Sequence, residues 1–151
     1  MLSQLAVSAL TFACTIAIHA IVMLGIVRLA QRTAALGSAH RSLLLMATMV
    51  ATVSILSAAH ILEVMVSAIV YAMVGVVPAG TGAMYFAFVN YTTLGYGDIT
   101  PVERWRLLGP MTAMNGILLF GWSTAVIFDV LRKTLAREAR NRPRSERPDR
   151  N

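Results

Sequence analysis

Thr92-Thr93-Leu94-Gly95-Tyr96-Gly97-Asp98 is the stretch on which the reading of this chain turns. Two glycines bracket a tyrosine, two threonines precede them and a carboxylate follows. An isolated Gly-Tyr-Gly is ordinarily a surface turn, but the flanks argue against that here. A short aromatic stretch, Met84 to Thr92, leads into it, and an apolar run from about Leu107 to Leu131 follows it. That run is long enough to cross a bilayer, which takes roughly 20 apolar residues.

Two more apolar runs precede the motif. The first extends from about Leu5 to Ala30, broken by His19 and Arg28, and the second from about Ser42 to Val77, with Gly75 and Pro78 marking its stop. Residues 81 to 92 are too short to cross, so the reading there is a helix that enters the membrane and returns. Composition agrees: a chain of 151 residues that is 57% hydrophobic and 13% charged has more apolar surface than one soluble core of this size buries. The fold class expected is an all-α membrane protein with three transmembrane helices, a re-entrant pore helix and a filter loop. By residue, 1–33 carry an extra amino-terminal helix and 34–135 a pore module, with an outer helix over 42–77, a pore helix over 81–92, a filter over 93–98 and an inner helix over 107–131. Residues 136–151 read as a basic, disordered cytoplasmic tail broken by Pro143 and Pro148.

Charge placement orients the chain. Arg28, Arg32 and Arg41 stand without acidic neighbours, whereas Arg104 and Arg106 are balanced by Asp98 and Glu103. The positive-inside rule then puts the amino terminus and the motif outside, and the tail in the cytoplasm of a cell with a plasma membrane. Eight of the thirteen Lys and Arg residues fall between Arg132 and Arg150, and no aromatic follows Phe128. That pattern fits anionic lipid rather than nucleic acid. Cys14 is the single cysteine, so neither an internal disulfide nor a cysteine-built metal site is available. No catalytic nucleophile, nucleotide loop, cofactor site or structural metal site is expected, and the chain does not read as an enzyme.

A cation crossing a narrow pore exchanges its water for closely spaced oxygens, and backbone carbonyls supply them without fixed charge. Aiming successive carbonyls at one axis needs alternating backbone conformations, which Gly95 and Gly97 permit, and Thr93 adds a hydroxyl at the inner mouth. Residues 83 to 121, about a quarter of the chain, resemble the pore region of tetrameric potassium channels, especially bacterial ones with two helices per subunit. The resemblance implies a homotetramer that conducts K⁺ passively, with Thr93, Leu94, Gly95, Tyr96 and Gly97 as the filter. It implies support from Thr92, Tyr85, Phe86, Asp98 and Trp105. Leu94 stands where valine is usual, Tyr85 and Phe86 where a tryptophan pair is common, and Val89 where some members carry a carboxylate partner for the residue matching Asp98. Phe86 cannot donate a hydrogen bond behind the filter, so a looser filter is expected and Asp98 needs another partner. Two alternatives stay open, a weakly selective cation channel and a non-conducting subunit that assembles with other chains.

Gly116 matches the family's hinge glycine, with Gly121 a second candidate, although small residues also serve close helix packing. Asn115 is read as lining the cavity or bonding the pore helix. No arginine ladder marks a voltage sensor. His19, His60 and Glu63 stand at membrane depth, where ionisable groups are rare, and counting along the helices brings them together as a hydrogen-bonded clasp or a proton sensor.

Overall fold

The computed structural model describes residues 1–33, 41–78 and 80–140. The described residues form four α-helices and a 3₁₀ turn, with no strand among them: α1 over Leu2–Thr33, α2 over Arg41–Val74, α3 over Ala83–Tyr91, the turn over Glu103–Trp105, and α4 over Leu108–Arg140. Three helical spans, Leu2–Arg32, Leu43–Val74 and Glu103–Ala136, are long and apolar enough to cross a membrane. Each is longer than the ~30 Å hydrocarbon core requires at ~1.5 Å per residue, so each tilts or projects into water. Helix α4 runs to Arg140, past the expected inner-helix end at 131, so the first residues of the tail expected to be disordered over 136–151 are helical, and its remainder, 141–151, lies outside the described residues.

Buried polar residues run in stripes along the helix contacts, beside an apolar core. Ser8, Thr11, Thr15 and His19 form one buried stripe on α1, and Thr48, Thr52, Glu63 and Ser67 another on α2. Leu10, Ile21, Leu24, Val50, Ile61 and Ile69 face outward. In lipid, apolar side chains gain nothing by hiding from their solvent, so the polar ones turn inward and bond across helices. Most of the threonine hydroxyls first satisfy themselves on their own helix, as Thr15 does on the Thr11 carbonyl at 3.1 Å and Thr52 on the Thr48 carbonyl at 2.8 Å.

Helices α1 and α4 run parallel. Gln4 Oε1 accepts from the Leu107 backbone N–H at 3.0 Å, Asn115 Nδ2 donates to Thr15 Oγ1 at 2.9 Å, and Ser123 Oγ lies 3.3 Å from His19 Nε2. The first of these occupies one of the backbone donors left free at the start of α4. Asn115 therefore bonds α1, and neither the pore helix nor a cavity claims its amide nitrogen. Helix α2 stops at Val74, where Gly75 takes φ +66° and the Val76 N–H reaches back to the Tyr71 carbonyl at 2.9 Å. This is the closing bond of a glycine C-cap. The Val102 N–H then donates to the Val76 carbonyl at 2.9 Å, so residues 77–101 leave α2 and return to the same place. Inside that excursion, α3 packs against α2 and α4.

Candidate functional site

At its carboxyl end α3 passes into the glycine motif. The Thr93 N–H bonds the Asn90 carbonyl at 2.9 Å and the Gly95 N–H bonds the Val89 carbonyl at 3.3 Å, which fold the loop back on the helix that precedes it. Thr92 Oγ1 donates to the Phe88 carbonyl at 2.7 Å. Thr93, Gly95 and Gly97 take φ of +63°, +56° and +77°, while Leu94 and Tyr96 between them do not adopt positive φ. Every second residue is thus left-handed. Glycine accepts that conformation without penalty, but a β-branched threonine does not, so Thr93 is held there by its surroundings. Within one chain the loop is uncovered: Leu94 is 58% exposed and Tyr96 67%.

Of the residues expected behind the loop, Tyr85 and Asp98 bond each other directly. Asp98 finds its partner in Tyr85, whose hydroxyl donates to Oδ2 at 2.7 Å. That bond holds the Tyr85 phenol above its ordinary pKa, so it keeps the proton it donates at neutral pH. Phe86 is buried and contributes packing, its ring 5.4 Å from that of Tyr71. Trp105 is buried in the same apolar cluster as Val76, Val77 and Phe86, with the Arg104 guanidinium 5.2 Å from its ring. It supports the helices around α3 and no direct bond joins it to the glycine motif.

The two hinge candidates are placed differently. A Cβ on Gly116 would sit 2.0 Å from the Tyr91 carbonyl oxygen, whereas one on Gly121 meets nothing within 4 Å. Gly116 is therefore a seat where α4 lies against the end of α3. Gly109 is a second, with Asn90 Oδ1 2.7 Å from a Cβ there.

The structure brings His19, His60 and Glu63 together. His19 Nδ1 is 2.7 Å from Glu63 Oε1, and His60 Nδ1 is 3.1 Å from Oε2. Sequence reasoning missed two members of the group. The Tyr91 hydroxyl donates to Glu63 Oε2 and lies 2.8 Å from His60 Nδ1, while Ser123 Oγ lies 3.0 Å from His60 Nε2 and 3.3 Å from His19 Nε2. Trp122 and Phe120 close the group, with ring centres 5.3 Å from His19 and 4.4 Å from His60 respectively. All four helices contribute to this cage. The donor atoms of His19, His60 and Glu63 lie within 4.8 Å of one another, close enough to share a metal ion. The missed signal was the recurrence of polar residues on one face of α4, where Asn115 and Ser123 are two helical turns apart.

Residues 59–133 match the family model described as ion channel. That segment contains the end of α2, the returning loop with α3, and α4, and this part of the chain belongs to the ion channel family. Neither a curated protein nor a solved structure gives a significant match. With three membrane-crossing helices around a channel module, this is a multi-pass membrane channel protein.

Proposed function

We propose that four copies of this chain form a potassium-selective channel of the plasma membrane, with residues 93–97 from each copy lining one axial filter. The observation that carries the reading is the alternation of left-handed backbone at Thr93, Gly95 and Gly97, the kind of alternation that aiming successive carbonyls at one axis needs. One strand cannot surround an ion, and the exposure of Leu94 and Tyr96 leaves those side chains for neighbouring copies to cover.

In this reading residues 77–101 are re-entrant, α3 is the pore helix, and its carboxyl end directs partial negative charge at the cation waiting below the filter. The amino terminus and the filter face outward, and the α1–α2 connection and the basic tail lie in the cytoplasm against anionic lipid. Tyr85 and Asp98 brace the filter in place of a donor at Phe86. Gly121, where an added Cβ would meet nothing within 4 Å, is the better hinge of the two glycines.

The test is potassium against sodium flux through purified protein in liposomes, with Gly95→Asp as the dead-filter control. Potassium flux that the variant abolishes supports the reading. Equal sodium flux would favour a weakly selective pore, and absent flux a subunit that conducts only with other chains.

A further inference from the structure

The cage around Glu63 is short of positive charge. Among the described residues the partners of the Glu63 carboxylate are His19 from α1, His60 from α2 and Tyr91 from α3, with Ser123 of α4 behind the imidazoles. None of these carries a fixed positive charge. His19 and Glu63 have fully buried side chains and that of His60 is 13% exposed, so water does little to compensate.

Counting protons exposes the deficit. A neutral imidazole has one N–H and one lone pair. If both N–H groups face Glu63, two lone pairs face Ser123, whose hydroxyl has one proton. If both face Ser123, its two lone pairs accept both, but two Nδ1 lone pairs then converge on the carboxylate. A mixed arrangement satisfies Ser123 and His19, yet leaves His60 Nδ1, Glu63 Oε2 and Tyr91 Oη in mutual contact around the single phenolic proton. Every neutral assignment also buries a net charge of −1, which is costly without a counter-ion. With Glu63 ionised the cage is one positive charge short, which a proton or a metal ion supplies.

We propose that His19, His60 and Glu63 bind a divalent metal ion of the zinc class, with the Tyr91 oxygen at the fourth position. Two imidazoles and a carboxylate are a donor set that zinc accepts. A tetrahedral ion with bonds of ~2.0–2.1 Å separates its ligands by roughly 3.3 Å, so the observed contacts of 2.7, 3.1 and 2.8 Å would open by roughly 0.2–0.6 Å, while the remaining donor pairs of His19, His60 and Glu63, all within 4.8 Å, adjust toward the same spacing. Metal on both Nδ1 atoms fixes both imidazoles as Nε2–H donors, and both already face the one oxygen of Ser123 that accepts two. Such an outer oxygen orients ligating histidines. The two ion charges are balanced by Glu63 and by Tyr91 once its phenolic proton passes to solvent. Because Tyr91 lies two residues before Thr93, occupancy fixes α1 to the end of the helix that leads into the glycine motif. The site stands whether or not the pore selects potassium.

The test uses full-length, untagged protein in detergent on a Cys14→Ser background, stripped with chelator and titrated with Co²⁺. The expected result is the visible spectrum of tetrahedral Co²⁺, saturating at one ion per chain and bleached by Zn²⁺. Ser123→Ala should keep the spectrum and weaken binding about 10- to 100-fold. His19→Asn should abolish it, and in case that variant fails to fold, Zn²⁺ but not Mg²⁺ should raise the melting temperature of the parent protein. A stripped, folded parent that shows no tetrahedral spectrum overturns the proposal and leaves the cage neutralised by a proton. A spectrum that persists in both His19→Asn and Glu63→Gln overturns it too.

Discussion

The glycine loop and the cage around Glu63 are neighbours joined through Tyr91, yet they are built in opposite ways. The loop holds its shape by backbone bonds to α3 and one brace, Tyr85 to Asp98, and leaves Leu94 and Tyr96 uncovered. The cage draws side chains from four helices and seals them inside one chain. In the proposed assembly one region is completed by other copies, and the other is closed within a single chain. Substitutions in the loop should therefore act on conduction, and substitutions in the cage on the fold of the single chain.

Several substitutions break or sharpen that contrast. The largest effect is expected from Gly95→Asp, which should remove flux completely while the purified protein keeps its helical content and elution volume. Glu63→Gln should do the reverse, leaving flux to the loop and lowering the melting temperature, because the amide replaces one acceptor oxygen of a buried group that His19, His60 and Tyr91 share, at a cost of about 1–3 kcal/mol. Gly116→Ala should cost about 1–3 kcal/mol, because its Cβ must displace the Tyr91 carbonyl and with it the start of the loop. Tyr85→Phe should raise sodium leak a few-fold in the liposome assay, with potassium flux retained. The smallest effect belongs to Gly121→Ala, which meets no neighbour and should leave the melting temperature unchanged or slightly raised, since alanine favours the helix by up to ~1 kcal/mol. If Gly121→Ala slows opening in single-channel records while Gly116→Ala merely destabilises, the hinge lies at 121.

Much of this was legible in the chain itself. Apolar length marked all three crossing helices, and Gly75 with Pro78 marked the end of α2, because glycine at a left-handed cap is a local requirement. His19, His60 and Glu63 stood out because ionisable groups are expensive in lipid. Tyr91 and Ser123 did not stand out: a tyrosine ending a helix and a serine within one are ordinary residues until the packing of α3 and α4 on α2 puts them on the same carboxylate. Gly116 could be read two ways from sequence, and the Tyr91 carbonyl decides for close approach. Asn115 was assigned toward the pore, since nothing in its own helix shows that Thr15, 100 residues earlier, lies opposite. The brace on Asp98 was missed for a similar reason: an expectation fixed on tryptophan overlooked that the Tyr85 hydroxyl donates as well.

The parallel pairing of the first helix with the last also sets an order of events during synthesis. Gln4 and Leu107, Thr15 and Asn115, and His19 and Ser123 are each 100 or more residues apart. Helix α1 therefore enters the bilayer with its polar stripe facing lipid, long before α4 has been translated. Glu63 comes first in chain order among the partners of His19, so α1 and α2 can be clasped through that pair before α4 is made. The segment made last then meets a surface already in place, and an amino-terminal helix that looks like an appendix in the linear chain forms part of the wall against which α2 and α4 rest.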